Sequence, residues 1–328
     1  MLMFRGGPII PAGSDSRVAV VRSETAARPL GLGIAAGLAA GALWGLVFLA
    51  PSLTPGLSPL DLTAGRFVCF GAMAGLLMLL TRRSHAWPNS RQALTALGFS
   101  LLGATGYYLL LAQAIVNAGA EVPSLIIGTI PIWIMLLGKP EHLRWSTLLP
   151  GLVLTALGLG LMVHSKLVPV ADLDVAGPRF WWGVVLAVLA MLSWTAFAVL
   201  NAAWLRRHPE LSATEWANWI GVATGVGALL MWLAAGSDLQ ELAALDNKGL
   251  VLLACLMTGI GSAWLGSILW NLASQRLSVS LCGQLIISET LFALLYSFAW
   301  EGAWPEPSQW LAAVLFTLGI LASIRAHR

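Results

Sequence analysis

Apolar stretches of about twenty residues recur from Leu30 almost to the C-terminus, and this pattern limits the possible folds more than any other feature. A helix of about 20 apolar residues spans the hydrocarbon core of a bilayer. Hydrophobic residues make up 58% of the chain, charged residues only 10%, and the mean hydropathy is +0.81. Too few charged residues remain to cover the surface of a soluble domain. The sequence therefore predicts an all-α integral membrane protein.

Ten transmembrane helices are predicted, and some of their ends carry capping signals. Ser58 and Pro59 precede one apolar stretch as N-cap and first helical residue, with Asp61 in the first turn. Ser212 and Glu215 form a capping box before another stretch. The predicted spans are residues 30–52, 59–80, 92–116, 122–138, 145–164, 180–203, 213–234, 250–274, 279–299 and 308–325.

The basic residues predict the orientation of these spans. If the N-terminus is cytoplasmic, 14 of the 18 Lys and Arg residues fall in inner segments, and only Lys166, Arg179 and Lys248 fall in outer ones. Cytoplasmic loops of membrane proteins carry such an excess of positive charge. The asymmetry predicts an even number of spans with both termini in the cytoplasm. Residues 1–29, which are polar and rich in Arg, are predicted to be a flexible cytoplasmic tail rather than a cleaved signal.

Short sequence matches indicate an internal repeat. Trp44 of the first predicted span corresponds to Trp194 of the sixth, and Gln113 corresponds to Asn271. The same offset places Pro131 opposite Glu289. Because each half holds an odd number of spans, the second half must be inverted relative to the first, as in many secondary transporters. We predict two inverted five-helix repeats, residues 30–165 and 179–326.

These features together resemble the ten-helix EamA branch of the drug/metabolite transporter superfamily. The resemblance rests on the two mid-span tryptophans, on Arg66 after Pro59-Leu60-Asp61, and on a polar or proline break in spans four and nine. Family members often carry Glu-Pro in span nine, whereas this chain has Glu289-Thr290. The resemblance implies a secondary transporter in the bacterial inner membrane. The arrangement is most similar to bacterial exporters of aromatic amino acids.

One acid and one base lie within the predicted spans. Glu289, near the centre of span nine, could titrate protons or bind a substrate amine, or it could be a protonated carboxyl that joins helices. Arg66 lies roughly 10 Å along its helix from the outer end. It could receive a substrate carboxylate. The favoured interpretation is a structural role, in which it pairs with Asp61, contacts helix-end carbonyls or reaches the surface.

The large aromatic and amide side chains within spans suggest a cavity lined by rings. Five of the 16 tryptophans are predicted inside spans, whereas others, including Trp216 and Trp219, lie near span ends, where indole suits the lipid headgroups. The five are Trp44, Trp133, Trp194, Trp264 and Trp270. Ordinary helix packing is the alternative for any single residue. The predicted substrate-binding residues are Trp44, Tyr107, Tyr108, Gln113, Trp194, Asn201, Trp270, Asn271, Ser288 and Glu289.

Several functions are disfavoured by the residue inventory. The three cysteines and five histidines show no metal-ligand spacing, and no hydrolase or nucleotide-binding motif is present. We therefore predict no enzyme activity, no cofactor, no metal site and no nucleic-acid partner. A carrier of phosphorylated sugars would need several interior bases, and a carrier of polyamines or metal ions several interior acids.

The remaining expectation is a carrier of small neutral or zwitterionic metabolites across the lipid bilayer. Amino acids are the natural candidates, and the resemblance favours aromatic ones, carried by alternating access through a central cavity. An exporter of another small metabolite or drug, and a membrane scaffold or receptor, stay open as alternatives. Four glycines spaced by four residues, Gly33 to Gly45, could pack within the monomer or form a homodimer; the monomer use is favoured.

Overall fold

We describe the fold from a computed structural model. It describes residues 30–81, 87–141, 143–164, 177–302 and 304–327. The tail predicted at residues 1–29 lies outside this part of the chain, as does the segment that joins the two predicted repeats.

The described residues form helices and contain no β-strand. Within the described residues, nine helices are long and apolar enough to cross a membrane, and one shorter apolar helix completes the set of ten predicted spans. In chain order, the ten spanning helices are α1 (Leu30–Leu53), α2 (Pro59–Thr81), α3 (Ser90–Ala118), α4 (Val122–Leu137), α5 (Trp145–His164), α6 (Pro178–Arg207), α7 (Ala213–Ala235), α8 (Lys248–Arg276), α9 (Val279–Glu301) and α10 (Pro307–Ala326). The predicted fold class is thereby confirmed.

Capping interactions explain where several of these helices begin and end. The hydroxyl of Ser212 accepts a hydrogen bond from the Glu215 backbone N–H, and the Glu215 carboxylate accepts one from the Ser212 backbone N–H, which is the predicted capping box. Asn89 and Gln92 form an equivalent box before α3. Gly302, with φ 64°, ends α9 in the left-handed conformation that glycine adopts without strain. Local sequence therefore determines these ends.

Three of the ten helices are irregular near their middle. Helix α3 is interrupted at Ala104, α4 is interrupted at Thr129 before Pro131, and α8 contains a π-helical segment, Met257–Leu265. The offset that aligns Gln113 with Asn271 takes the α3 break at Ala104 to Ser262, which lies within the π segment. Helix α9 runs as an uninterrupted helix, and Thr290 stands where family members often carry a proline, which would remove a backbone donor.

The helix contacts stay nearly the same when each helix is exchanged for its counterpart in the other half. Helices α2 and α7, α4 and α9, and α5 and α10 pack against each other, so each meets its own counterpart. Helix α1 packs on α8 and α9, and correspondingly α6 packs on α3 and α4. This exchange is expected of inverted repeats. The exact limits of the repeats, 30–165 and 179–326, stay a prediction.

Glycines allow the paired helices to approach closely. A Cβ placed on Gly71 of α2 would lie 2.6 Å from the Cα of Gly225 on α7, and the reverse distance is 2.7 Å. The glycine stripe of α1 is covered within the monomer, since a Cβ on Gly37 would lie 2.7 Å from Leu285 of α9, and one on Gly45 would meet the α9 backbone at 3.0 Å. This agrees with the favoured interpretation that these glycines pack within the monomer.

We expect Gly71→Ala to destabilise the protein, because its methyl group would meet the backbone of α7 rather than a flexible side chain. Overpacking of this kind costs about 1–3 kcal/mol. Gly75→Ala on the same helix is the control, since its Cβ would lie 3.8 Å from the nearest atom, Val222 Cγ2. Unfolding of the two variants in detergent mixtures measures the difference, and equal stability would contradict a close α2–α7 crossing.

Candidate functional site

Three of the predicted interior tryptophans meet where α1, α6 and α8 converge. The ring centroids of Trp44 and Trp270 are 5.4 Å apart, those of Trp44 and Trp194 6.2 Å, and those of Trp194 and Trp270 6.3 Å. These separations are typical of aromatic pairs that attract each other. We call Trp44, Trp194 and Trp270 the tryptophan cluster. The cluster joins residues from both halves of the chain.

Two features of the tryptophan cluster bear on ligand binding. Gly266 makes room for Trp44, since a Cβ there would lie 2.7 Å from the Trp44 Nε1. The Nε1 of Trp270 is buried and has no hydrogen-bond partner among the described residues. A buried donor without a partner is costly, and such groups need an explanation such as a water or ligand. The cluster thus offers aromatic faces together with an unused donor.

Arg66 and two tyrosines form a second group, which we call the arginine–tyrosine group. The Arg66 Nη1 donates to the Tyr108 hydroxyl at 3.2 Å, and its guanidinium lies over the rings of Phe67 (4.8 Å) and Tyr108 (5.3 Å). Tyr107 contacts Tyr108 edge to face at 5.0 Å. Arg66 is 8% exposed, so it does not reach the surface, which was one of the three structural roles expected for it. Its partner is Tyr108 rather than Asp61, which binds Ser58 and Ser237.

Glu289 lies on α9 close to both groups. The Ser288–Glu289 segment packs on Gly41 of α1, about one turn from Trp44, so this part of α9 lies beside the part of α1 that carries the tryptophan cluster. Glu289 interacts electrostatically with Arg66 and Tyr107, although the structure shows no direct ion pair between Glu289 and Arg66 in the described chain. A basic and an acidic side chain therefore face the same region without neutralising each other by contact.

Asn201 and Asn271 come together, as predicted, but in a closed network. The Asn201 Nδ2 donates to the Asn271 Oδ1 at 3.0 Å, and the Trp216 Nε1 donates to the Asn201 Oδ1 at 2.6 Å. The Asn271 amide also donates to the Ala213 carbonyl at 3.3 Å. Trp216 is fully buried and Trp219 is 7% exposed, so the prediction that both lie among lipid headgroups is wrong. This network joins α6, α7 and α8 next to the tryptophan cluster, since Asn271 directly follows Trp270 in α8.

We expect Asn201→Ala to destabilise the protein, because the Trp216 indole and the Asn271 amide would lose their buried partner. The expected loss is about 1–2 kcal/mol of unfolding free energy. Gln113→Ala is the control, since Gln113 is exposed. Denaturation in mixed detergent micelles compares the two variants; a loss no larger for Asn201→Ala than for Gln113→Ala would argue against the network.

The structure gives no support to three residues that were expected to line the cavity. Gln113 is exposed on the bundle surface, because its neighbour Ala114 takes the buried position against α6. Ser288 is buried and donates to the Leu285 carbonyl of its own helix at 2.7 Å, so it contributes to the α1–α9 contact. Trp133 was predicted inside a span but is 43% exposed. Its indole donates to the Thr129 hydroxyl at the α4 break.

One polar pair near the site was not predicted. The Trp264 indole, in the π segment of α8, donates to the Asn218 Oδ1 of α7 at 2.8 Å. Asn218 is 5% exposed. A signal was present in the sequence, since Trp216, Asn218 and Trp219 follow the capping box of α7 closely. Their burial depends on the neighbouring helices, which local sequence does not reveal.

Comparisons with known proteins agree with this architecture. Residues 31–164 and 181–325 each match the model of the EamA-like transporter family. The chain is 30% identical over 298 residues to the inner membrane protein YtfF of Escherichia coli K12, covering 86% of this chain and 91% of that protein. A solved crystal structure with 21% sequence identity superposes with a TM-score of 0.68, covering 88% of this chain and 97% of that chain, which shows the fold alone.

Proposed function

Because the chain belongs to the EamA-like transporter family, we propose that it exports amino acids, with aromatic ones favoured, through a central cavity between its two halves. The observation that carries this proposal is the tryptophan cluster, which brings three indoles and an unused N–H donor together from α1, α6 and α8. Indole faces stack on aromatic side chains, and the donor can meet a polar head.

Charge complementarity supports a zwitterionic substrate. Arg66 carries a permanent charge and a buried Nε without a partner in the described chain, so it can bind a carboxylate. Glu289 carries the opposite charge when ionised and can receive an ammonium group. A carboxylate and an ammonium on one small molecule match these two residues, which interact at a distance without pairing. Tyr108, which is bonded to Arg66, and Tyr107, which packs on Tyr108, offer hydroxyl groups beside this pair.

The direction of transport and the orientation also belong to the proposal. The ends of helices that carry Arg91, Lys139, Arg206 and Arg276 share one side of the bundle, which we call the basic end. We place the basic end in the cytoplasm, following the rule for positively charged loops. Alternating access then moves the substrate from the basic end to the opposite side.

The proposal is tested by counterflow in proteoliposomes. Vesicles that contain the purified protein and unlabelled amino acid take up labelled aromatic, aliphatic or hydroxylated amino acids, and we expect the aromatic ones to be taken up fastest. Protein-free vesicles are the control. Absence of uptake for every amino acid would overturn the proposal. Uptake of unrelated organic solutes instead would favour the alternative of a drug or metabolite exporter, and absence of all solute flux would favour a scaffold.

A further inference from the structure

A cavity of about 290 Å³ opens at the basic end, apart from the tryptophan cluster. It lies between the loop that joins α6 to α7 and the last turn of α8. Its volume suits one molecule of amino-acid size. The lining residues that matter for the argument are Leu205, Pro209, Glu210, Ser212, Gln275 and Arg276.

Two opposite charges line this cavity without forming an ion pair in the described chain. The Arg276 Nε is buried and has no hydrogen-bond partner among the described residues, and its Nη1 makes only a long contact of 3.4 Å with the Leu272 carbonyl. A guanidinium does not lose its charge, so this unused hydrogen-bonding capacity favours an anionic group. Glu210, which also lines the cavity, is exposed to solvent.

Helix α8 links this cavity to the tryptophan cluster. The Gln275 Nε2 donates to the Leu211 carbonyl at 3.0 Å and fixes the loop against the helix end. Asn271, one turn deeper, belongs to the network with Asn201, and the adjacent Trp270 belongs to the tryptophan cluster. From Arg276 to Trp270 the helix rises roughly 9 Å. A small molecule in the cavity is thus close to the proposed transport site.

We infer that this cavity binds the zwitterionic head of the substrate before it enters the transport path, with Arg276 taking the carboxylate and Glu210 the ammonium. The inference rests on the proposed function and adds a second binding site to it. The phosphate of a lipid is also an anion that Arg276 would bind. The experiment therefore distinguishes a lipid phosphate from the carboxylate of an amino acid. Glu210 favours the amino acid, because a phospholipid anion gains nothing from a second negative charge.

The test measures occupancy of the cavity rather than transport. Pro209→Cys places a thiol at the rim, where Pro209 is exposed and makes no polar contact that the structure shows. We expect an aromatic amino acid to slow its reaction with a membrane-impermeant maleimide. Adding Arg276→Gln raises the half-protecting concentration by about tenfold, the effect of losing one charge-assisted hydrogen bond. The parent protein, in which Cys69 is half-buried and Cys255 and Cys282 are buried, gives the background.

Arg206→Gln is the matched control, because Arg206 is an exposed residue of the same region that does not line the cavity. The inference would be overturned if Arg276→Gln left the protection of the thiol unchanged, or if no amino acid protected the thiol. So would protection that depends on adding phosphatidylglycerol to phosphatidylcholine nanodiscs and not on the amino acid. Counterflow without protection refutes this site alone, whereas protection without counterflow refutes the proposed transport and leaves the site.

Discussion

Glu289→Gln is expected to abolish the response of transport to a proton gradient. We propose that the Glu289 carboxylate takes up a proton from the outer side and releases it inside, while the substrate leaves. Acidifying the outside should therefore accelerate efflux by the wild-type protein. Gln keeps the shape and a polar head but cannot titrate. We expect gradient-driven efflux to fall roughly tenfold, equivalent to about 1.4 kcal/mol.

The measurement separates coupling from simple damage. Efflux from proteoliposomes is measured with and without a proton gradient that is more acidic outside, and counterflow is measured without any gradient. We expect Glu289→Gln to lose the acceleration by outside acid and to retain counterflow only with a higher KM, because the amide no longer attracts the substrate ammonium. Glu241→Gln is the control, since Glu241 lies on the short exposed helix Leu239–Ala244 outside the spans. A wild-type pH response in Glu289→Gln would assign this carboxyl to helix packing.

Trp44→Ala and Trp194→Ala are expected to weaken transport of aromatic amino acids more than that of aliphatic ones. Each variant removes one face of the tryptophan cluster, and a lost aromatic contact costs about 0.5–1.5 kcal/mol beyond the lost area. The KM for an aromatic substrate should rise about tenfold, which corresponds to about 1.4 kcal/mol. The KM for an aliphatic substrate should change far less.

The controls exploit the position of other aromatic residues. Trp181→Ala removes an indole from α6 that is 55% exposed, so its KM values should match the wild type. Trp44→Phe retains an aromatic face and should recover most of the affinity. Counterflow and size-exclusion profiles of each variant are compared. Equal losses for aromatic and aliphatic substrates would assign the cluster to packing rather than recognition.

The sequence sufficed for the fold because membrane helices are specified locally. Bilayer thickness sets the length of each span, and Ser58 and Ser212 mark helix starts through contacts within four residues. The tryptophan cluster was also predictable, because Trp44, Trp194 and Trp270 lie inside spans where lipid headgroups cannot explain them.

The parts that were missed depend on contacts between distant segments. Arg66 was expected near the surface, but its partner Tyr108 lies 42 residues away on α3. Gln113 and Asn271 align in sequence, yet Asn271 is 2% exposed and Gln113 faces outward. Sequence spacing gives the position along a helix, whereas the rotation of a helix within the bundle depends on its neighbours. Trp216 was misplaced for the same reason.

The pairing of helices across the two halves has a consequence for biosynthesis. The most extensive helix pairings, such as α2 with α7 and α5 with α10, join early helices to late ones. At translation rates of roughly 5–20 residues per second, the ribosome needs about 7–30 s to make the second half after the first is complete. During that delay the glycine surfaces of α1 and α2 contact lipid instead of their final partners. Assembly must therefore be largely post-insertional, and we expect the first half alone to be a preferred substrate for membrane proteases.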